Sequence, residues 1–137
     1  MEFEITDKIP LEDKNSILNG LVEYNSSKLS NLEPVELGVY YKVDGKVKAG
    51  LIGNTHGNWL QINILWVSDE LRGNGVGSKL LAAAEQEALN RNCKYSILYT
   101  SEFQAPGFYV KYGYQEAFVL NNFPLTGQRY YYIKNLS

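Results

Sequence analysis

Cysteine is almost missing from this chain of 137 residues. Cys93 stands alone, so no disulfide can form within the chain. Histidine is equally scarce: His56 is the sole copy, and a nucleophilic Cys93 would need it as a partner. Cys93 lies between Asn92 and Lys94 at a helix-to-strand junction and reads as structural. No basic run exists, and 13 Lys and Arg against 15 Asp and Glu leave a net charge of −2. That balance argues against a dedicated nucleic-acid binder, which needs a positive stripe. No charged-then-apolar leader opens the chain, and no apolar run is long enough to span a bilayer. The expectation is a cytoplasmic protein with no membrane partner and no metal. Repeats and low-complexity tracts are absent too. A hydrophobic content of 45% then describes one globular domain covering residues 1–137.

The stretch with most information runs from Leu60 to Leu89. An apolar, β-prone run, Leu60 to Val67, passes through a polar turn into Arg72-Gly73-Asn74-Gly75-Val76-Gly77-Ser78, and a helical pattern follows at once. Strand, glycine-rich loop and helix make an anion cradle, with loop amides converging and the positive end of the helix dipole behind them. A bare strand-to-helix turn is the plainer alternative. The dinucleotide pattern fails on spacing: counted from Gly73 the sixth place is Ser78, and counted from Gly75 it is Leu80. The P-loop pattern fails as well, because the order here is Gly77-Ser78-Lys79.

Around this stretch the elements follow from periodicity. Met1 to Asp7 alternates, with Phe3 and Ile5 on one side, and predicts a short edge strand. Pro10 opens a helix striped by Ile17, Leu18, Leu21 and Val22, with Asp13 or a neighbour as its cap. Val35 to Lys42 alternates, Asp44-Gly45 is a two-residue hairpin turn, and a returning strand leads to a second turn at Asn54 to Asn58. Trp59 to Val67 is the third strand. Leu80, Leu81, Ala84 and Ala88 make the buried face of the next helix, with Lys79, Glu85, Gln86, Glu87 and Asn90 outside it. Lys94 to Thr100 must run parallel to the third strand, because a helical crossover joins them. A short helix over Gln104 to Tyr112 puts Phe108 and Tyr112 on one face, with Gly113 as its C-cap. Strands over Gln115 to Leu120 and Arg129 to Lys134 close the chain, the last dense in tyrosine.

Val67-x(4)-Arg72 with Gly75 and Gly77 resembles the pyrophosphate loop of the GNAT-type N-acetyltransferases, whose signature is Arg or Gln, two residues, Gly, one residue, Gly or Ala. Downstream, Ala105-Pro106-Gly107-Phe108-Tyr109-Val110-Lys111-Tyr112-Gly113-Tyr114 is similar to that family's second motif, Ala-x-x-Phe-Tyr-x-x-x-Gly-Phe. The resemblance extends from about Leu32 to the C-terminus. It implies a mixed α/β (α+β) acyl-CoA N-acyltransferase fold: a mostly antiparallel sheet with a splayed parallel strand pair and flanking helices. It implies acetyl-CoA as cosubstrate, its pantetheine arm between the splayed strands, and an amine as acceptor.

The resemblance also implies site residues. Arg72, Gly73, Asn74, Gly75, Val76, Gly77 and Ser78 would cradle the pyrophosphate. A backbone amide of Leu65, Trp66 or Val67 would receive the thioester oxygen, by oxyanion logic. Phe108 and Tyr112 would flank the cofactor. Tyr109 occupies the family's acid position, and a phenol with pKa near 10 suits protonation of a thiolate; a packing tyrosine is the alternative. Glu102 stands where many relatives carry an asparagine and is a candidate base or a solvated loop residue. His56 and Glu36 are weaker candidates for the base, and ordered water is another. Asp69 and Glu70 would repel phosphates and are expected to point away. Tyr24 and Asn25, in the first helix, sit in the region that commonly walls the acceptor site in the family. A small-molecule amine is the first expectation for the acceptor and a protein N-terminus or lysine the second. A non-catalytic acetyl-CoA sensor is the rival class, and a homodimer through the tyrosine-rich last strand is open.

Overall fold

The computed structural model describes residues 1–26, 33–101 and 106–137. Glu102, Gln104 and Ala105 lie outside the described residues.

The N-terminal unit, Met1–Leu32, holds one described element, helix α1 (Leu11–Ser26). The alternation from Met1 to Asp7 does not become a strand; Phe3 and Ile5 are exposed. Five alternating residues specify a strand only where a neighbouring edge accepts their hydrogen bonds, and among the described residues no strand pairs with them. Helix α1 begins directly after Pro10, whose carbonyl accepts the Lys14 N–H at 3.0 Å. Asp13 therefore sits inside the first turn beside Glu12, where it faces the positive end of the dipole but does not cap.

The second unit, Glu33–Ser137, is a six-stranded sheet with helices. Strands β1 (Val35–Val43), β2 (Lys46–His56) and β3 (Trp59–Val67) form an antiparallel meander. Asp44 and Gly45 turn the first hairpin at φ 51° and 79°, the backbone of a type I′ turn. The second turn is tighter than Asn54 to Asn58: only Gly57 and Asn58 lie outside the strands, and His56 pairs with Trp59. Cross-strand pairing of Asn54 with Gln61 and Thr55 with Leu60 holds those residues in β2. A 3₁₀ turn (Asp69–Leu71) leads to helix α2 (Val76–Asn90), and strand β4 (Tyr95–Ser101) then runs parallel to β3. Short helix α3 (Pro106–Val110) follows, ending two residues earlier than Tyr112. Strands β5 (Gln115–Asn121) and β6 (Gln128–Asn135) complete the order β1-β2-β3-β4-β6-β5. Strand β6 is paired on both sides, with β4 and β5, so it offers no free edge for a second chain.

Helix α2 lies on one face of the sheet and buries the four residues its periodicity singles out: Leu80, Leu81, Ala84 and Ala88. Beneath them lie Leu37, Ala49, Leu51, Leu60, Ile62 and Leu98. The two alanines are fully buried, and their small side chains let the helix approach the strands closely. Glu85 is not on the solvent side as its place in the helical pattern suggests. Ser96 donates to the Tyr114 hydroxyl at 2.7 Å, which donates to Glu85 Oε2 at 3.0 Å, while Lys134 Nζ meets Glu85 Oε1 at 2.7 Å. These bonds tie α2 to β4, β6 and the turn after α3. At the other end of α2, Arg91 donates to the carbonyls of Val35 and Glu36 and to Thr55 Oγ1, fixing the helix to β1 and β2.

One irregularity shapes the functional end of the sheet. Ile52 pairs with Ile64 and Gly53 with Ile62, so Asn63 is an extra residue, a β-bulge in β3. Gly53 stands opposite the bulge, where a Cβ would run into the Gln61 carbonyl oxygen. The bulge resets the alternation, so Leu60 and Ile62 before it, and Leu65 and Val67 after it, all face α2. It also marks where β3 leaves β4. Their parallel pairing covers only Trp59–Ile62 against Tyr95–Leu98, and beyond these residues the strands splay. No helix among the described residues is long and apolar enough to cross a membrane.

Candidate active site

The splay opens a cleft of about 980 Å³. Its walls are the diverging ends of β3 and β4, the loop before α2, and α3. Leu65, Trp66, Val67, Arg72, Gly73, Gly75, Val76, Gly77, Ser78, Phe108, Tyr109 and Tyr112 all line it, so the structure gathers residues from four segments of the chain into one place. Asn74 does not line the cleft; its side-chain amide turns back to the Leu71 carbonyl at 3.3 Å.

Backbone alternation sorts the three amides of β3. Ser68 N–H bonds to the Lys48 carbonyl at 2.9 Å, so two residues earlier Trp66 also points its amide at β2. Leu65 and Val67 point theirs the other way, into the cleft. The Val67 carbonyl, on that same side, accepts from Arg72 Nε at 3.3 Å. The candidate trio of amides thus narrows to Leu65 and Val67, while Trp66 contributes its side chain to the wall.

The loop shows why glycines occupy it. Gly73 and Gly75 have φ of 83° and 75°, left-handed values that cost an L side chain about 1–2 kcal/mol. Gly75 is the N-cap of α2 and supplies no side-chain cap. The first amides of the helix therefore have no intrahelical acceptor, and the positive end of the helix lies behind them. Ser78 Oγ donates to the Gly75 carbonyl at 2.9 Å and steadies the turn. Gly77 serves a different purpose, close packing: a Cβ there would stand 3.4 Å from Phe108 Cζ.

Charge around the cleft suits an anion. Its lining contains the cations Arg72 and Lys111 and, among the described residues, no carboxylate. Asp69 is held by Arg72 Nη1 at 3.0 Å and Glu70 by Lys48 Nζ at 3.2 Å, so neither faces the amides. The Arg72 side chain is correspondingly committed to Asp69 and Val67. Lys111 escapes notice in the sequence because nothing but its place, two residues after Tyr109, marks it.

Tyr109 is 9% exposed, amid the rings of Phe108, Tyr114 and Tyr132. Burial raises its phenol above the ordinary tyrosine value, so the hydroxyl is protonated throughout the neutral range. Its carbonyl accepts the amides of Tyr112 and Tyr114, which anchors the turn after α3. Phe108 and Tyr112 share a face, ring centroids 5.0 Å apart.

Two candidates for the base are elsewhere. His56 pairs with Trp59, at the start of β3, roughly 20 Å from Leu65 at about 3.3 Å per residue. Glu36 pairs with Asn54 at that same end. Strand direction, not residue type, excludes both from the cleft. Cys93 is buried with its Sγ 3.5 Å from the Gly57 carbonyl, also at the far end, and burial raises its thiol pKa. No cluster of three or more His, Cys, Asp or Glu side chains among the described residues could hold a metal ion.

A six-stranded sheet split at a bulge, with an uncapped helix N-terminus at the mouth of the split, defines an acyl-CoA-dependent transferase site. Residues 36–116 match the model of the acetyltransferase (GNAT) domain, and the chain belongs to the GNAT family of acetyltransferases. It is 33% identical over 115 residues to an acetyltransferase of Agrobacterium fabrum, covering 83% of this chain and 84% of that one. It is 41% identical over 81 residues to blasticidin-S acetyltransferase of Streptomyces morookaense, covering 58% of this chain and 60% of that one. An acetyltransferase of Bacillus cereus superposes with a TM-score of 0.82 at 30% identity, covering 96% of this chain and 97% of that one. Acetyl-CoA is the cosubstrate, and the cleft suits it: roomy, flanked by cations and bordered by the start of α2.

Proposed function

We propose that residues 1–137 act as one acetyltransferase domain that transfers the acetyl group of acetyl-CoA to a primary amine of a small molecule. The amine attacks directly while both substrates are bound. The observation that carries this reading is the convergence on one cleft of the uncapped start of α2, the free amides of Leu65 and Val67, and the buried neutral phenol of Tyr109. Bound acetyl-CoA supplies an activated acyl group. The chain supplies the rest. Amides of Gly73 and of Gly75 to Ser78 hold the pyrophosphate, with Lys111 and Arg72 adding positive charge. Phe108 and Tyr112 wall the arm. Leu65 or Val67 N–H stabilises the oxygen where negative charge develops. Tyr109 delivers its proton to the departing sulfur. Glu102, directly after the last residue of β4, takes the amine's proton.

A small-molecule acceptor is supported by the 41% identity to an enzyme named for acetylating blasticidin S. A cytoplasmic setting accords with the single, buried free thiol. Calorimetric titration with acetyl-CoA tests the reading at its base. Wild type should bind and Gly75→Glu should not, since a carboxylate would then occupy the anion cradle. With binding in hand, a panel of small amines assayed by thiol release should yield at least one acceptor, lost in Tyr109→Phe. Failure of the wild type to bind would overturn the proposal.

A further inference from the structure

The sheet face away from α2 carries an arginine whose guanidinium meets rings but, among the described residues, no carboxylate. Arg129, at the start of β6, pairs with Ser101 of β4 and Leu120 of β5. Its guanidinium lies over two rings, Cζ 4.3 Å from the centroid of Tyr99 and 3.8 Å from that of Phe123. Tyr99 is itself part of the cleft lining. Tyr99, Tyr131 and Phe118 continue as an aromatic shelf, with centroids 5.7 Å and then 4.4 Å apart. Ile64 and Trp66 bring the opposite wall of the cleft onto this same face.

Among the described residues no hydrogen bond or ion pair reaches the Arg129 side chain, and its Nε is buried without a partner. Cation–π contact with two rings uses none of the guanidinium's N–H donors. An unpaired charged donor in a half-buried place is unfavourable in the free protein. The two ring contacts nevertheless restrict the guanidinium, and a restricted fork is the partner that a carboxylate meets with two parallel hydrogen bonds. Lysine in the same place would offer a point charge without that geometry.

We propose that Arg129 is the carboxylate receptor of the acceptor site, so that the acetylated amine belongs to a molecule that also bears a carboxylate. The inference rests on the reading of the cleft as the site of transfer to an amine. It assigns the pantetheine channel to the split itself and the acceptor to the shelf side, where Tyr99 joins the two.

Matched pairs test it. The full-length protein with acetyl-CoA is assayed by thiol release against amino acids and ω-amino acids, each beside its own carboxamide. Wild type should favour the carboxylate partner by about tenfold or more in kcat/KM, because a site built around a hydrogen-bonded group discriminates against its loss. Arg129→Gln should bring the ratio close to one by raising KM for the carboxylates, with kcat on the carboxamides kept. Arg129→Lys should restore part of the preference. Equal use of both partners by wild type, or a preference that survives in Arg129→Gln, overturns the proposal. A second measurement does not depend on turnover. The Arg129 Nε–H resonance, identified by its loss in Arg129→Gln, is followed in the coenzyme A complex as the same compounds are added. A saturable shift with carboxylates and none with carboxamides supports the receptor; no shift with any carboxylate overturns it. A shift in the absence of any acetyl transfer supports the receptor and overturns the amine-transfer reading instead.

Discussion

Gly77 in the first turn of α2 lies against Phe108 of α3, so closely that an added Cβ would stand 3.4 Å from the ring and 3.7 Å from Val67 Cγ2. The contact joins the anion cradle, the strand that offers its amides and the helix that carries Tyr109. An added Cβ would meet only ordinary contacts, which accords with a signature of Gly or Ala at this place.

Gly77→Ala should therefore be nearly silent, with acetyl-CoA affinity within about threefold of wild type. Gly77→Val adds methyl groups where there is no room and should cost about 1–3 kcal/mol of stability. Both variants are checked by urea midpoints and by titration with acetyl-CoA. Equal behaviour of the two would contradict the packing role.

Removing the Tyr109 hydroxyl leaves the ring packing with Phe108, Tyr114 and Tyr132 in place. Tyr109→Phe should lower kcat by about 10²- to 10⁴-fold, the range for a lost general acid, with acetyl-CoA affinity little changed. The acid works in its protonated form, and burial raises its pKa. The alkaline decline in kcat due to this group must then have its midpoint above the ordinary tyrosine value of about 10. A pH–rate profile with a Tyr109-dependent decline between pH 7 and 9 would refute the assignment.

The alkaline limit of folding should be set by Tyr114. Its phenol is raised far above the usual value, chiefly by burial, with the Glu85 carboxylate adding to the shift. With the folded value above the unfolded value of about 10, the unfolded chain gives up its protons first. The stabilisation is fully present below pH 10 and is lost as pH rises from there. Urea midpoints measured at pH 8 and at pH 10.5 should fall in wild type, and fall less in Tyr114→Phe. At pH 8 that variant should itself lose about 1–3 kcal/mol, because Ser96 and Glu85 lose their shared partner.

Cys93 is 2% exposed, with its thiol pKa raised by burial. A thiol reagent at pH 8 should leave it unmodified in the native protein and react fully once urea unfolds the chain. Cys93→Ser should retain acetyl transfer. Rapid labelling of the native protein, with loss of activity, would show that the residue is accessible to the site after all.

Local features carried much of the fold into the sequence. The alanine-rich stripe of α2 and the Asp44-Gly45 hairpin depend on neighbours within a few positions, and both are where their patterns place them. The glycine loop was legible for the same reason: its conformation is set by its own residues. What was hidden depends on partners distant in the chain. The bulge at Asn63 exists only in register with Ile52 and Gly53. The exclusion of His56 and Glu36 needs strand direction, and the seat of Arg129 between Tyr99 and Phe123 needs three segments at once. The alternation in Met1 to Asp7 misleads because a period of two describes side chains, while a strand also requires a neighbour for its backbone.

An ordinary open sheet has two margins, and both are places where a stray polypeptide can add itself. This sheet has four. Besides the outer margins of β1 and β5, the unzipped ends of β3 and β4 face each other across the cleft. The inner pair carry no lysine or proline of their own to discourage a newcomer, apart from what the loops bring. Their protection is positional. Each is backed by a paired strand, β2 behind one and β6 behind the other, and α3 also walls the gap. A slender molecule entering lengthwise can use those backbone groups, while a protein strand arriving sideways meets a finished surface. By stopping the zipper at Ile62, one surplus residue turns what is normally an aggregation hazard into an enclosed slot.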